Sequence, residues 1–266
     1  MAIQISLRQG SADEAILFAL RQVAGIAHAV AASASDWSFT GSRDGQYRAD
    51  LVVNDAVVGA LKEFGCGVLS EETGAHGFSG SCPADLGDDL VIVVDPVDGS
   101  TNASRGVPWH AISLCAVDRD GPRVGLVAML AQPHTEYAAI RGQGAWRNGI
   151  RLAAPTGRPL DQCVIGISGP PPANPGWWQF RAMGAAALDL CLVAEGALDG
   201  YLDCDTHGVW DYLASSLVCA EVGVHIADAF DAALCTLVHS DRRTPVAAAT
   251  VEVLDHLKAL RNQHHV

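Results

Sequence analysis

Leu90-Val-Ile-Val-Val94 followed by Asp95-Pro-Val-Asp-Gly-Ser-Thr-Asn102 is the stretch on which the reading of this chain turns. Its first half is a continuous β-branched run, the pattern of a strand buried on both faces. Its second half is a turn that Pro96 stiffens, so that Asp95 and Asp98, three residues apart, can face the same point. Gly99 lets backbone approach a ligand closely, and Ser100 and Thr101 can open a helical turn with unpaired N–H groups. Carboxylates at a strand end beside an anion-accepting turn and a hydroxyl point to metal-assisted phosphate chemistry.

Two more acidic elements lie where a regular element ends. Glu71 and Glu72 follow the short apolar run Gly67-Val-Leu69, and Asp211 opens a helix after Asp203-Cys-Asp-Thr-His-Gly-Val-Trp210. Carboxylates at strand ends and helix starts can converge on one crevice. Oxygen donors of this kind suit Mg²⁺, Mn²⁺ or Ca²⁺. Each piece has a plainer reading alone: the Asp95–Gly99 stretch as a solvated turn, the Glu pair as surface, Asp211 as a helix cap. Their order and spacing together weigh more than any one of them.

Upstream, Ser11-Ala-Asp-Glu14 reads as a capping box, and Ile16, Leu20, Val23, Ala27 and Val30 continue it as a helix over about 11–33. Residues 37–49 read as a loop, and a second helix over about 50–64 turns Val53, Val57, Ala60, Leu61 and Phe64 inward with Asp55 in its first turns. Residues 73–88 form a Gly-, Ser- and Asp-rich excursion. Downstream, strands are expected at about 111–117, 124–131 and 135–140, with a hairpin turn at Asn148-Gly149. The Pro/Gly-rich 169–177 loop reads as the seam between an N-terminal α+β half, about 1–168, and a C-terminal α/β half, about 178–266, of one catalytic domain. Beyond it come a helix (about 181–197), a strand (199–203), a helix (210–222), strands near 224–227 and 245–249, and a last helix (250–262). A block of strands followed by alternation with helices implies a layered α/β fold.

The 266 residues carry 17 Lys plus Arg against 30 Asp plus Glu, a net charge of −13, with 49% hydrophobic residues. This is a folded, acidic protein, for which nucleic acid and membrane are not expected as partners. The eight cysteines include no CxxC pair and lie mostly in apolar runs, so they read as reduced thiols of a cytoplasmic protein. The first ten residues lack the pattern of a secretory leader, and no apolar stretch reads as a membrane span.

Four blocks resemble the inositol monophosphatase superfamily of Mg²⁺-dependent, often lithium-sensitive phosphatases. They are Leu69-Ser-Glu-Glu-Thr73, Asp95–Asn102, Trp210-Asp-Tyr-Leu-Ala214 with Glu221 ten residues after Asp211, and Met183–Gly196. The resemblance runs from about residue 12 to 260. It implies an α-β-α-β-α sandwich of the inositol monophosphatase/fructose-bisphosphatase type. It implies two or three Mg²⁺, with Mn²⁺ as a substitute and Ca²⁺ or Li⁺ as inhibitors. The implied ligands are Glu71, Asp95, the Val97 carbonyl, Asp98 and Asp211. Gly99, Ser100 and Thr101 match the phosphate-contacting turn, and Ser100 also matches the hydroxyl that, with a helix carboxylate, prepares the attacking water. Asp55 is taken as that carboxylate. Ala185 and Ala186 match the turn that meets the substrate, and Asp203, or Asp205 in its place, stands where a substrate-contacting carboxylate is sought.

The chain departs from the pattern at Asp50-Leu-Val-Val-Asn54, which has no Thr before Asp55, and in the spacing of Asp203–Trp210. The expected activity is Mg²⁺-dependent hydrolysis of a small polyol phosphate, myo-inositol 1-phosphate first, by a homodimer. Histidinol phosphate is the alternative substrate, and a catalytically silent metal-binding scaffold the non-enzymatic one. The compact length is taken to disfavour bisphosphate and nucleotide substrates. His207, Arg43 and Arg48 read as solvated, and Trp177-Trp178 as packing, a pocket cap or an interface.

Overall fold

The computed structural model describes residues 6–42, 45–132, 134–171 and 175–263. Its first unit is an eight-stranded sheet with order β2-β1-β3-β4-β5-β6-β7-β8. The strands are β1 (Gly67–Ser70), β2 (Gly74–His76), β3 (Val91–Asp98), β4 (Ala111–Asp118), β5 (Gly121–Met129), β6 (Glu136–Ile140), β7 (Gly144–Arg147) and β8 (Ile150–Arg151). The second is a five-stranded sheet with order β10-β9-β11-β13-β12, built from β9 (Val164–Ser168), β10 (Gln179–Arg181), β11 (Gly200–Asp203), β12 (His225–Asp228) and β13 (Pro245–Ala248). Among the described residues six α-helices accompany them: α1 (Asp13–Ser33), α2 (Arg48–Glu63), α3 (Ser100–Ser104), α4 (Ala186–Ala194), α5 (Val209–Glu221) and α6 (Val251–Gln263).

Strand alternation explains the layering. Along β3 and β4, Ile92, Val94, Ile112 and Leu114 face one way and pack on α1 and α2, while Val91, Val93, Ala111 and Cys115 face the other way and pack on α4 and α5. Tyr201 and Ala247 of the second sheet close this middle core from the far side. The opposite face of that sheet, with Ile165, Leu202 and Val246, is covered by Val253 and Leu257 of α6. The result is the α-β-α-β-α sandwich. Gly125 lets α5 lie close on β5, since a Cβ there would stand 2.8 Å from the Ala214 carbonyl oxygen. Asn148 and Gly149, at φ 51° and 77°, make the two-residue hairpin turn that joins β7 to β8.

Several expectations change. The Ser11 capping box is absent: Ala12 is the N-cap, and the Ser11 hydroxyl accepts from the Arg8 N–H. Arg123 holds this helix end instead, reaching Asp13 Oδ1 at 2.7 Å and the Ser11 carbonyl at 2.7 Å. By length and composition α1 could cross a membrane, contrary to the sequence reading, yet Ile16, Leu20, Val23 and Ala27 are fully buried in the core. The expected helix over 181–197 is shorter, because β10 and a turn at Gly184 (φ 82°) precede α4. The change of sheet falls between Arg151 and Val164, and the 169–177 loop, of which 172–174 lie outside the described residues, connects β9 to β10 within the second sheet. Trp177 is buried against the α6 core, whereas Trp178 is exposed.

Candidate active site

Parallel pairing brings the first two carboxylates together. β1 and β3 run in the same direction with Ser70 opposite Val94, so the next residues, Glu71 and Asp95, stand side by side. The Glu71 N–H continues the ladder to the Val94 carbonyl at 3.1 Å. The Glu71 carbonyl meets His239 Nε2 at 2.8 Å, and the His239 ring packs on Trp210 at 4.8 Å between centroids. His239, which carried no signal in the sequence, thus ties the end of β1 to the start of α5. Glu72 accepts from the Gln46 side-chain amide just before α2.

The Asp95–Asp98 turn breaks the β3–β4 register. Asp95 Oδ1 accepts the Val97 N–H at 2.9 Å, curling the turn on itself. The Val97 carbonyl accepts the Ser100 hydroxyl at 2.8 Å. Asp98 Oδ2 accepts the Ala187 N–H at 2.8 Å, so a carboxylate from the first sheet caps the first turn of α4. Gly99 has φ 85°, and a Cβ there would lie 2.9 Å from the Trp109 carbonyl oxygen and 3.1 Å from Ala185 Cβ. Only glycine fits this left-handed, closed-in position. Asn102 Nδ2 donates to the Trp109 and Met183 carbonyls at 2.8 and 2.7 Å, clamping the 183–185 turn beside Gly99. Ala185 and Ala186 therefore border the Asp98–Thr101 turn.

Asp211 arrives from α5. The Ser113 hydroxyl, on the β4 residue opposite Asp95, donates to the Trp210 carbonyl at 2.8 Å and anchors that helix start. Asp211 Oδ2 accepts the Gly208 N–H at 2.8 Å. Oxygens of Glu71, Asp95 and Asp211 lie within 4.8 Å of one another. Burial, then the charges of Glu71, Asp211 and Asp98, push the Asp95 carboxyl well above the usual carboxylate range. Burial and Asp211 do the same to Asp98, and burial raises Asp211. Carboxyls packed this closely resist ionising together, although His207 and Arg242 favour the charged form of Asp211. The all-oxygen donor set fits a hard divalent cation.

Two other placements overturn the sequence reading. Asp55 is exposed on α2, while Asp50 is buried, its Oδ2 accepting the Tyr47 N–H at 3.0 Å. The Tyr47 hydroxyl donates to Thr101 Oγ1 at 3.3 Å, so the end of α2 carrying Asp50 borders the Gly99–Thr101 turn. Asp203 is fully buried, with Oδ1 accepting the Asp205 N–H at 2.8 Å and Oδ2 meeting His207 Nδ1 at 2.7 Å. Both of its oxygens are engaged within the protein, and Asp205 is exposed. His207 is not a solvated loop residue, since its side chain is 18% exposed. Burial works against its charge, yet the Asp203 hydrogen bond and the charges of Asp203, Asp211 and Asp98 lift the ring to about 9. Arg48 is exposed near Asp36, and Arg43 lies outside the described residues.

The sequence model described as the inositol monophosphatase family matches residues 10–265. A fructose-1,6-bisphosphatase of Pyrococcus furiosus is 29% identical over 211 residues, 77% of this chain and 78% of that protein. The two are thus similar in length, which removes the argument from compactness against a bisphosphate substrate. An inositol-1-monophosphatase of Rhizobium meliloti is 35% identical over 151 residues, 52% of this chain and 56% of its own length. A Nus factor SuhB of Escherichia coli is 33% identical over 154 residues, 53% and 57% of the two. The matched stretch is thus under two thirds of the latter two proteins. Among solved structures, inositol monophosphatase-II of Staphylococcus aureus superposes with a TM-score of 0.76 at 22% identity, over 94% of this chain and 97% of that one.

Proposed function

The chain belongs to the inositol monophosphatase family, a family of phosphatases, and on that premise we propose that it hydrolyses a small polyol phosphate, myo-inositol 1-phosphate first, with Mg²⁺. The observation that carries this reading is the meeting of Glu71, Asp95 and Asp211, from three separate elements, beside the Gly99–Thr101 turn. Glu71, Asp95, the Val97 carbonyl, Asp98 and Asp211 would hold two or three Mg²⁺. Mn²⁺ would substitute, and Ca²⁺ or Li⁺ would inhibit. A cytoplasmic homodimer is part of the same proposal.

Divalent cations held by these residues would supply positive charge and lower the pKa of water at the site. Gly99, Ser100 and Thr101 receive the phosphate. Ser100 donates its own proton to the Val97 carbonyl, which leaves the hydroxyl oxygen free to accept from the attacking water. Asp50, rather than Asp55, is the α2 carboxylate proposed for this turn, because it is buried at the helix end that Tyr47 joins to Thr101. Asp98 holds the α4 turn against the site through Ala187, so that Ala185 and Ala186 border the alcohol portion.

The test is phosphate release from myo-inositol 1-phosphate, histidinol phosphate, fructose 1,6-bisphosphate and a nucleotide 3′-phosphate, each with Mg²⁺, with EDTA and with added Li⁺. Release from the inositol ester in Mg²⁺ that EDTA abolishes is expected. Turnover indifferent to EDTA, or none from any ester, overturns the reading.

A further inference from the structure

Between the end of β11 and the start of α5, the chain builds a dyad, Asp203 and His207, that the phosphatase chemistry above does not use. Asp203 ends β11 and is fully buried, and its Oδ2 holds His207 Nδ1 at 2.7 Å. Its other oxygen accepts the Asp205 N–H, and its carbonyl accepts from Arg261 Nε at 3.1 Å, so the carboxylate has one orientation. His207 is held from its backbone as well: its N–H donates to the Arg243 carbonyl at 2.8 Å, and its carbonyl accepts the Arg243 N–H at 2.9 Å. With Nδ1 spent on Asp203, the ring has one polar atom left, Nε2, which meets no hydrogen-bond partner among the described residues. The side chain is 18% exposed, open enough to be reached and closed enough to be fixed.

The position of the ring defines what it can touch. The next residue, Gly208, donates its N–H to Asp211 Oδ2 at 2.8 Å, which places His207 beside the carboxylate cluster, between the end of β11 and the start of α5. The opposite wall, from the first sheet, carries Glu71 and the Gly99–Thr101 turn. In the arrangement proposed below, a phosphate on that turn would extend its esterified alcohol toward this ring. Asp203 itself cannot serve as the contact there, since neither of its oxygens is available.

We propose that His207, oriented by Asp203, is a specificity residue whose Nε2–H donates to a hydroxyl oxygen on the alcohol portion of the substrate. The inference rests on the phosphatase reading and adds the group that selects a hydroxyl-rich alcohol over a plain one. Asp203 is a positioning residue in this arrangement. A ring held as a charged donor offers a stronger hydrogen bond than a neutral side chain and has no acceptor to offer in return.

The experiment compares wild type, His207→Leu and His207→Gln on myo-inositol 1-phosphate and on p-nitrophenyl phosphate, whose alcohol carries no hydroxyl beyond the ester oxygen. Thermal unfolding is followed alongside. Loss of a charged hydrogen bond predicts that kcat/KM of His207→Leu falls roughly ten- to hundredfold further on the inositol ester than on the aryl ester, mainly through KM. His207→Gln, which keeps an N–H, should recover part of that difference. Equal losses on both esters, or no loss on either, overturn the assignment and leave the dyad as a fold element. Absence of phosphate release by the wild-type protein from both esters is a different result: it removes the phosphatase reading, and this inference with it.

Discussion

Two strand-to-helix junctions face each other across the site, and they handle buried negative charge in opposite ways. At the end of β3, Asp95 meets Glu71 and Asp211, and its carboxyl is driven upward by burial and by those neighbours. At the end of β11, Asp203 is at least as deeply buried, yet it meets a peptide N–H and the His207 ring. The second junction sets its carboxylate against a ring, whereas the first packs carboxylates against one another. Burial alone therefore does not mark a metal ligand. Convergence of several carboxylates from separate elements is what makes the first junction the candidate.

The contrast is most exposed at Asp95. Asp95→Asn should reduce Mg²⁺-dependent phosphate release by about 10³-fold or more, since cations worth several kcal/mol of transition-state stabilisation lose a ligand. Calorimetry should find Mg²⁺ binding weakened in parallel, while far-ultraviolet circular dichroism stays native. Activity within tenfold of wild type would sink the ligand assignment.

A smaller effect separates Asp50 from Asp55 on α2. Asp50→Asn is expected to lower kcat by about 10²-fold or more, the range of a group that handles a proton at the attacking water. Asp55→Asn, exposed on the other side of the helix, should leave kcat within about twofold. Steady-state rates of both variants on the same ester decide between them.

The smallest effect lies on the middle layer. Asp189 receives the Trp109 Nε1–H at 2.8 Å, but burial outweighs this and raises its carboxyl from 3.8 to about 7. A carboxyl raised on folding binds its proton more tightly in the native state. The stability it contributes is therefore complete below pH 3.8 and is lost as pH rises through about 7. The slope is at most about 1.4 kcal/mol per pH unit. Asp189→Asn should flatten the dependence of the urea midpoint between those values, and an unchanged slope would locate the titrating group elsewhere.

Much of the site was legible before any coordinates. Glu71, Asp95 and Asp211 each stand at the end of an apolar run or the start of a helix, and elements of that kind deliver side chains to a shared edge. The burial of Asp50 rather than Asp55 was legible too. Asp50 lies three, seven and eleven residues before Val53, Val57 and Leu61, on the same helical face, whereas Asp55 falls between the members of that series. His239 and the Asp203–His207 pair were not legible. His239 reaches Glu71 from 168 residues away, and no local pattern records such a distance. Asp203 and His207 are four residues apart in a stretch that is not a helix, so their spacing carried no geometry.

By itself the sequence determined the layers and the chemical type of the site. Unbroken apolar strands such as Leu90–Val94 must be covered on both faces, and carboxylates at their ends, without paired thiols or imidazoles, suit hard cations. Tertiary structure alone decided which carboxylates act together. The parallel register of β1 and β3 sets Glu71 beside Asp95, Ser113 brings Asp211 to them, and His207 withdraws Asp203 from the set. Charge compensation is a sum over neighbours in space, and a chain read in order does not contain that sum.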